Sequence, residues 1–196
     1  MRVVAFGCSH TFGHGLIDAM INTQNPSKLS WPNHIANDMN AECVNNGMPG
    51  ASNKQIWHDI VCLSELQKDD IVFVLWTEID RHAVIHSNEN IKNIGPWMNT
   101  DASKNFYSYV YDDFDANLNL NLYMQSTSNY LDSLGIKNYH HTVGDYEKLP
   151  FNTAKTFDLM PFKKTLQGLP KAADGEHFGE KAHELFAGKV LEKLDA

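Results

Sequence analysis

Long apolar runs are missing from this chain. The longest, "IVFVLW", falls far short of the roughly 20 residues a membrane-spanning helix needs, so no span is expected. "MRVVAFGCSH" turns polar too early for a signal-peptide core, and the expected location is the cytoplasm. Cysteine is sparse. Cys8, Cys43 and Cys62 cannot all pair and show no C-x-x-C spacing, so they read as reduced thiols, with Cys43 and Cys62 as small core residues. Positive charge is also short, with 16 Lys and Arg against 24 Asp and Glu and a net charge of -8. A nucleic-acid binder needs a basic face to displace counterions, so nucleic acid is not an expected partner.

What is present fits a globular protein: 42% hydrophobic and 20% charged over 196 residues. That length suits a single domain, 1–196, burying about 70% of its unfolded surface without staples. Strand and helix signals alternate. "RVVAFGC", "ECVNNG", "DDIVFVLWT" and "IKNYHHTV" read as strands, the third as a central parallel strand because its apolar run is continuous. "SWPNHIANDMN" reads as a short helix capped by Ser30. "SNKQIWHDIVCLSELQ" reads as a helix capped by Ser52, with Ile56, Ile60, Leu63 and Leu66 on one face. "DANLNLNLYMQSTSNYLDSLG" carries a helical stripe through Leu120, Tyr123, Met124, Thr127, Leu131 and Leu134. The C-terminal "FGEKAHELFAGKVLEKL" is amphipathic on Phe178, Ala182, Leu185, Phe186, Val190 and Leu194. The alternation predicts an α/β fold, a three-layer α/β/α sandwich around a parallel sheet, with its site at the carboxyl ends of the strands.

One stretch at such a strand end stands out. "GCSHTFGHG", 7–15, places a thiol, a hydroxyl and two imidazoles among three glycines, more than a plain turn requires. Near the other end, "DGEHFGEKAH" offers Asp174 and His177 just before the last helix. In a D-x-x-H turn the carboxylate can orient one ring nitrogen while the other serves a nucleophile such as Ser9.

On these residues the chain resembles the SGNH hydrolases, the GDSL esterase/lipase family. "GCSHTFG" matches the first block, G-D-S-x-T-x-G, at Gly7, Ser9, Thr11 and Gly13. "NNGMPGASN" supplies Gly47 for the second, with Gly50 and Asn53 following. Asp174 and His177 match the last. The resemblance implies a flavodoxin-like α/β/α fold and ester hydrolysis without a cofactor, with Ser9 as nucleophile, His177 as base and Asp174 orienting it. It also implies an oxyanion hole from the N–H groups of Ser9 and Gly47. Small size and Asn-rich composition are similar to phage-encoded members, for which virion association is an option.

Two positions depart from the pattern. The Asp before the nucleophile is Cys8, which could be a buried small residue or itself a nucleophile. The G-x-N-D block is absent, and the third strand ends in "LWTEIDR". Thr77 could donate a hydroxyl where the family uses an Asn amide, whereas a Glu78 carboxylate would repel the developing charge. Asn53 and Arg81 are candidate substrate-binding residues; Arg81 could hold a carboxylate or pair with Asp80. His10 and His14 have i, i+4 spacing, but the glycines beside them argue against a helix and no third ligand is evident, so no metal is expected. His140 and His141 read as a partly exposed pair. An aromatic and Asn-rich insertion at about 79–113, with Trp97, Phe106, Tyr107, Tyr109 and Tyr111, could stack on a sugar or acyl group, or pack the insertion onto the domain. The expected activity is hydrolysis of a small acyl ester, such as a carbohydrate O-acetyl group. The alternatives are an SGNH-like binding module with weakened catalysis, and an acyltransferase using the same triad.

Overall fold

The computed structural model describes residues 1–20, 23–88 and 90–194. Its main sheet has four parallel strands in the order β2 (Glu42–Gly47), β1 (Arg2–Gly7), β3 (Asp70–Trp76), β6 (Lys137–Thr142). In β3, Val72 to Trp76 are all buried, as a strand covered on both faces requires.

On one face, α2 (Trp31–Asp38) packs against α7 (Glu180–Leu194). Trp31 meets Phe73 and Phe186 edge-on, at 6.4 and 5.6 Å between ring centroids. On the other face, α3 (Asn53–His58) packs against α5 (Asp113–Ser133), bringing Trp57 and Tyr123 to 5.7 Å. This is the three-layer α/β/α arrangement that the alternation of signals implies.

Several local expectations are corrected. The helix after Ser52 stops early: α3 passes into a π-helical turn, Asp59–Leu63, and the Ser64 hydroxyl bonds back to the Ile60 carbonyl. Leu63 is therefore exposed, and so is Cys62, which is no core residue. On α7 the buried face takes His183 in place of Leu185, and on α5 the stripe ends at Leu131, with Leu134 exposed beyond it.

His140 and His141 are buried, because the segment after β6 folds back over that edge: His140 donates its N–H to Lys155 and accepts from Phe157. The His140 ring is satisfied on both sides, by Trp76 Nε1 at 3.0 Å and Asn138 Oδ1 at 3.0 Å. The insertion is also built. It forms an antiparallel hairpin, β4 (His82–Ser87) and β5 (Asn90–Ile94), followed by α4 (Asp101–Tyr109). Phe106 stacks on His82 at 4.7 Å, and Tyr107 bonds to the Ile94 carbonyl, so these aromatics pack the insertion while Trp97 and Tyr109 remain exposed. Among the described residues no helix is long and apolar enough to cross a membrane.

Candidate active site

The site is built where β1 ends. Gly7 closes the strand, Cys8 stays extended, and a single helical turn, α1 (Ser9–Phe12), begins at Ser9. Cys8 is fully buried in the core, whereas Ser9 lines an open cavity of about 460 Å3. The turn donates the Thr11 and Phe12 N–H groups to the Cys8 carbonyl, and no acceptor among the described residues takes the Ser9 N–H. Such unpaired N–H groups are normal for a first helical turn.

From the other end of the chain comes the 172–178 loop. Asp174 Oδ1 accepts the N–H groups of Glu176 and His177 at 2.9 and 3.0 Å, which fixes the turn and leaves Oδ2 to meet the ring. Oδ2 lies 2.6 Å from His177 Nδ1, and Nε2 lies 3.0 Å from Ser9 Oγ. A carboxylate only accepts, so Nδ1 carries the proton and Nε2 is left to accept from the Ser9 hydroxyl. Burial by itself would raise the Asp174 carboxyl; the His177 N–H and ring, then the Glu176 N–H, outweigh it and hold the group below the usual carboxylate range.

The small residues of 7–15 explain how two distant segments come this close. Gly15 has φ +86, and a Cβ there would collide with the Asp174 carboxylate. Its carbonyl accepts the Ala173 N–H at 3.2 Å. Both imidazoles of the stretch wall in the His177 ring, His10 at 5.4 Å and His14 at 5.1 Å between centroids. Among the described residues no group of three metal-ligating side chains gathers around them.

The other expected donors are not presented the same way. The Gly47 N–H is committed to Asn45 Oδ1 at 2.9 Å, and Gly47 packs so tightly on α1 that a Cβ would meet the Phe12 nitrogen. The Thr77 hydroxyl is given to Glu78 Oε2 at 2.9 Å. Asn53 turns inward: its carbonyl oxygen accepts the Thr77 N–H at 2.8 Å and its amide reaches the Thr77 and Glu78 carbonyls. It therefore pins the end of β3 and does not line the cavity. Gly50, in the same loop as Gly47, has φ +78 and no atom within 4 Å of a Cβ, and no acceptor for its N–H among the described residues. Of Gly47 and Gly50, it is thus Gly50 whose amide is unpaired among the described residues.

Arg81 does line the cavity, but its partner is Glu78 at 3.0 Å, and its guanidinium lies 4.8 Å from the centre of the Trp97 ring. Lys163 takes the other oxygen of Glu78. Burial would raise Glu78; Arg81 and Lys163 prevail and hold it down to about 2. His10, weighed in the sequence only as half of a metal pair, also lines the cavity, as do Lys163 and Lys171, which had no place in the sequence reading. The lysines lie in "PFKKTLQGLPK", which opens on the short helix α6 (Phe162–Thr165) and has no periodicity or motif to mark it. A larger groove, about 760 Å3 and running along β2, contains none of Ser9, Asp174 and His177.

No family model matches the chain, and no curated protein matches it. Solved structures do. A member of the lipolytic protein G-D-S-L family from Veillonella parvula superposes with a TM-score of 0.53 at 15% identity, over 98% of this chain and 97% of that one. An acetylxylan esterase from Geobacillus stearothermophilus, solved as a catalytic mutant, gives 0.58 at 14% identity over 100% and 94%. Another, from Butyrivibrio proteoclasticus, gives 0.58 at 12% over 98% of this chain and 62% of that one. At such identities the likeness defines the fold: the chain has the α/β/α fold of the SGNH, or GDSL, hydrolases.

Proposed function

We propose that the protein is a serine ester hydrolase acting on small acyl esters. The observation that carries this reading is the hydrogen-bonded array of Ser9 Oγ, His177 Nε2 and Nδ1, and Asp174 Oδ2, at 3.0 and 2.6 Å. A serine hydroxyl is a poor nucleophile at neutral pH without an adjacent base, and this array supplies one.

In the first half-reaction Ser9 Oγ attacks the acyl carbon and its proton passes to Nε2. The imidazolium is stabilised by Asp174, which does not itself take the proton. The Ser9 N–H, unpaired at the start of α1, is the donor best supported for the oxyanion. Collapse expels the alcohol, which leaves with the proton from Nε2. Water then attacks the acyl-serine by the same route, giving the acid and the free serine. The two acetylxylan esterases among proteins of this fold favour an acetyl group on a carbohydrate as the substrate class.

A second reading has its own observation. With the Gly47 N–H and the Thr77 hydroxyl already bonded within the protein, the oxyanion side is weak, as in a module that binds esters and turns them over poorly. Both readings are tested by a serine-directed organophosphonate followed by peptide mapping. The hydrolase reading expects a covalent adduct on Ser9, lost in Ser9→Ala and kept in Cys8→Ala. No adduct, with ligand binding retained, would establish the binding module.

A further inference from the structure

The cavity beside Ser9 gathers positive charge although the chain as a whole carries -8. Arg81, Lys163 and Lys171 line it, and Glu176 is its one acidic residue among those described. Glu78, just outside, neutralises part of this by pairing with Arg81 and Lys163. Lys171 is different. Its ammonium touches only neutral groups, the Glu176 carbonyl at 3.1 Å and the face of Phe178 at 4.0 Å to the ring centre. Its remaining hydrogen-bonding capacity faces no carboxylate among the described residues.

A second, independent feature marks the same lining. His10 is 6% exposed, wedged against Phe162 and Phe178 at 5.1 and 5.9 Å, and its Nδ1 has no hydrogen-bond partner among the described residues. Leaving a buried polar atom unpaired costs stability, a cost typical of sites shaped for something else.

The direction of the chemistry says which part of a substrate meets these groups. His177 must return its proton to the departing oxygen, so the alcohol oxygen lies against Nε2 and the rest of the alcohol extends along the wall that carries His177. Lys163 and Lys171 belong to the 163–178 stretch that forms that wall. We infer that the cavity receives the alcohol part of the ester, and that Lys171, with Lys163 and Arg81, holds a carboxylate or phosphate group on it. This inference rests on the esterase reading above and adds the substrate class.

The experiment compares three acetyl esters of similar size: 3-(4-acetoxyphenyl)propionate, its neutral methyl ester, and 2-(4-acetoxyphenyl)ethyl phosphate. At least one charged ester is expected to exceed the neutral one in kcat/KM by about tenfold, the scale of one charge-assisted hydrogen bond. Lys171→Gln should bring that ratio close to one and Lys171→Arg should restore it. Whichever charged ester shows the larger ratio identifies carboxylate or phosphate. Equal rates on all three would overturn the inference and leave the esterase reading standing. Hydrolysis of none would remove the esterase reading, and calorimetric titration of the three parent phenols then decides. Binding of a charged phenol but not the neutral one, dependent on Lys171, supports the anion site; equal or absent binding overturns it.

Discussion

Two walls face each other across Ser9, and they are built differently. On one, Asp174 uses three acceptor contacts to set its own turn and the His177 ring, and Gly15, His10 and His14 close around that pair. The chain of contacts from Asp174 through the His177 ring ends on the Ser9 hydroxyl. On the other, Gly47 and Thr77 stand at the ends of β2 and β3 and Asn53 at the start of α3, yet each is bonded to a neighbour. The difference shows that matching residue types at matching strand ends does not by itself make a functional group available. Availability depends on what else the local sequence offers as a partner, and here Asn45 and Glu78 are those partners.

The largest effect should come from removing Ser9, the proposed nucleophile, on which the contacts of the first wall end. Ser9→Ala is expected to lower kcat on a small activated ester by about 10⁴-fold or more, since without the hydroxyl the base has nothing to activate. Cys8→Ala should keep most of the activity. Successive side chains at a strand end point to opposite faces, and Cys8 is fully buried while Ser9 lines the cavity. The reverse outcome would make this a cysteine enzyme and dissolve the contrast between the walls.

Next in size is Asp174→Asn, which keeps the shape of the first wall and removes its charge. The amide can donate to Nδ1, favouring the tautomer whose Nε2 bears the proton and cannot accept from Ser9. A loss of about 10³–10⁴-fold in kcat is expected. A loss of only a few-fold would show that His177 is held by its aromatic neighbours and not by the carboxylate.

How much of this was legible in the sequence follows the same division. The first wall could be read because its parts are local: a D-x-x-H turn and a Ser in a glycine-flanked strand end carry their own geometry. So could β1 and β3, whose buried strands leave apolar runs, whereas β2 and β6, "ECVNNG" and "KNYHHT", carry none and were placed only by the alternation of strand and helix signals. The second wall could not. That Asn45 captures the Gly47 amide and Glu78 the Thr77 hydroxyl depends on rotamers set by packing, for which residue type gives no signal. Arg81 was placed at the site, but its partner is Glu78, because Lys163 arrives from a distant segment to complete a three-residue ion pair. His140 and His141, expected to be a partly exposed pair, are buried for a related reason: what covers them is a loop about fifteen residues further on.

Acid should separate the two walls in another way. His10 on the first wall is held down to about 3, by burial and then by the neighbouring His177. His140 and His183 are also held at about 3 and His141 at about 4, burial leading in each case. Their folded values lie below the unfolded value of about 6.5, so the unfolded chain binds more protons and stability falls as pH drops below that point. Each such histidine contributes a slope of about 1.4 kcal/mol per pH unit until its folded value is reached. Glu78 on the second wall, lowered from 4.5 to about 2, supports the fold above 4.5 and loses that contribution only between those values. Denaturant midpoints measured from pH 7 to 4 should therefore fall before carboxylates titrate. His183→Asn should flatten the slope, because its Oδ1 can still accept the Trp31 N–H that Nδ1 accepts at 3.2 Å. An unchanged slope would mean that His183 is not the neutral buried group described.

The smallest expected effect is the sharpest probe of the second wall. In the SGNH pattern a side chain at the end of the third strand donates to the oxyanion, and losing such a donor lowers kcat by about 10²–10³-fold. Thr77 occupies that place here, but its hydroxyl is bonded to Glu78 Oε2 at 2.9 Å and the residue is 1% exposed. Thr77→Val preserves the shape and removes the hydroxyl, so kcat should change by less than about threefold, with KM unaltered. Glu78 would lose one of its bonds, yet Arg81 and Lys163 still hold its charge, so the strand end should keep its position. Running the same substitution on Glu78→Gln adds the control. With the carboxylate gone, the hydroxyl is released from its strongest acceptor, and Thr77→Val should then matter more than it does in the parent chain. If Thr77→Val alone lowers kcat by a hundredfold at constant KM, the hydroxyl must leave Glu78 in the transition state, and the second wall is as functional as the first.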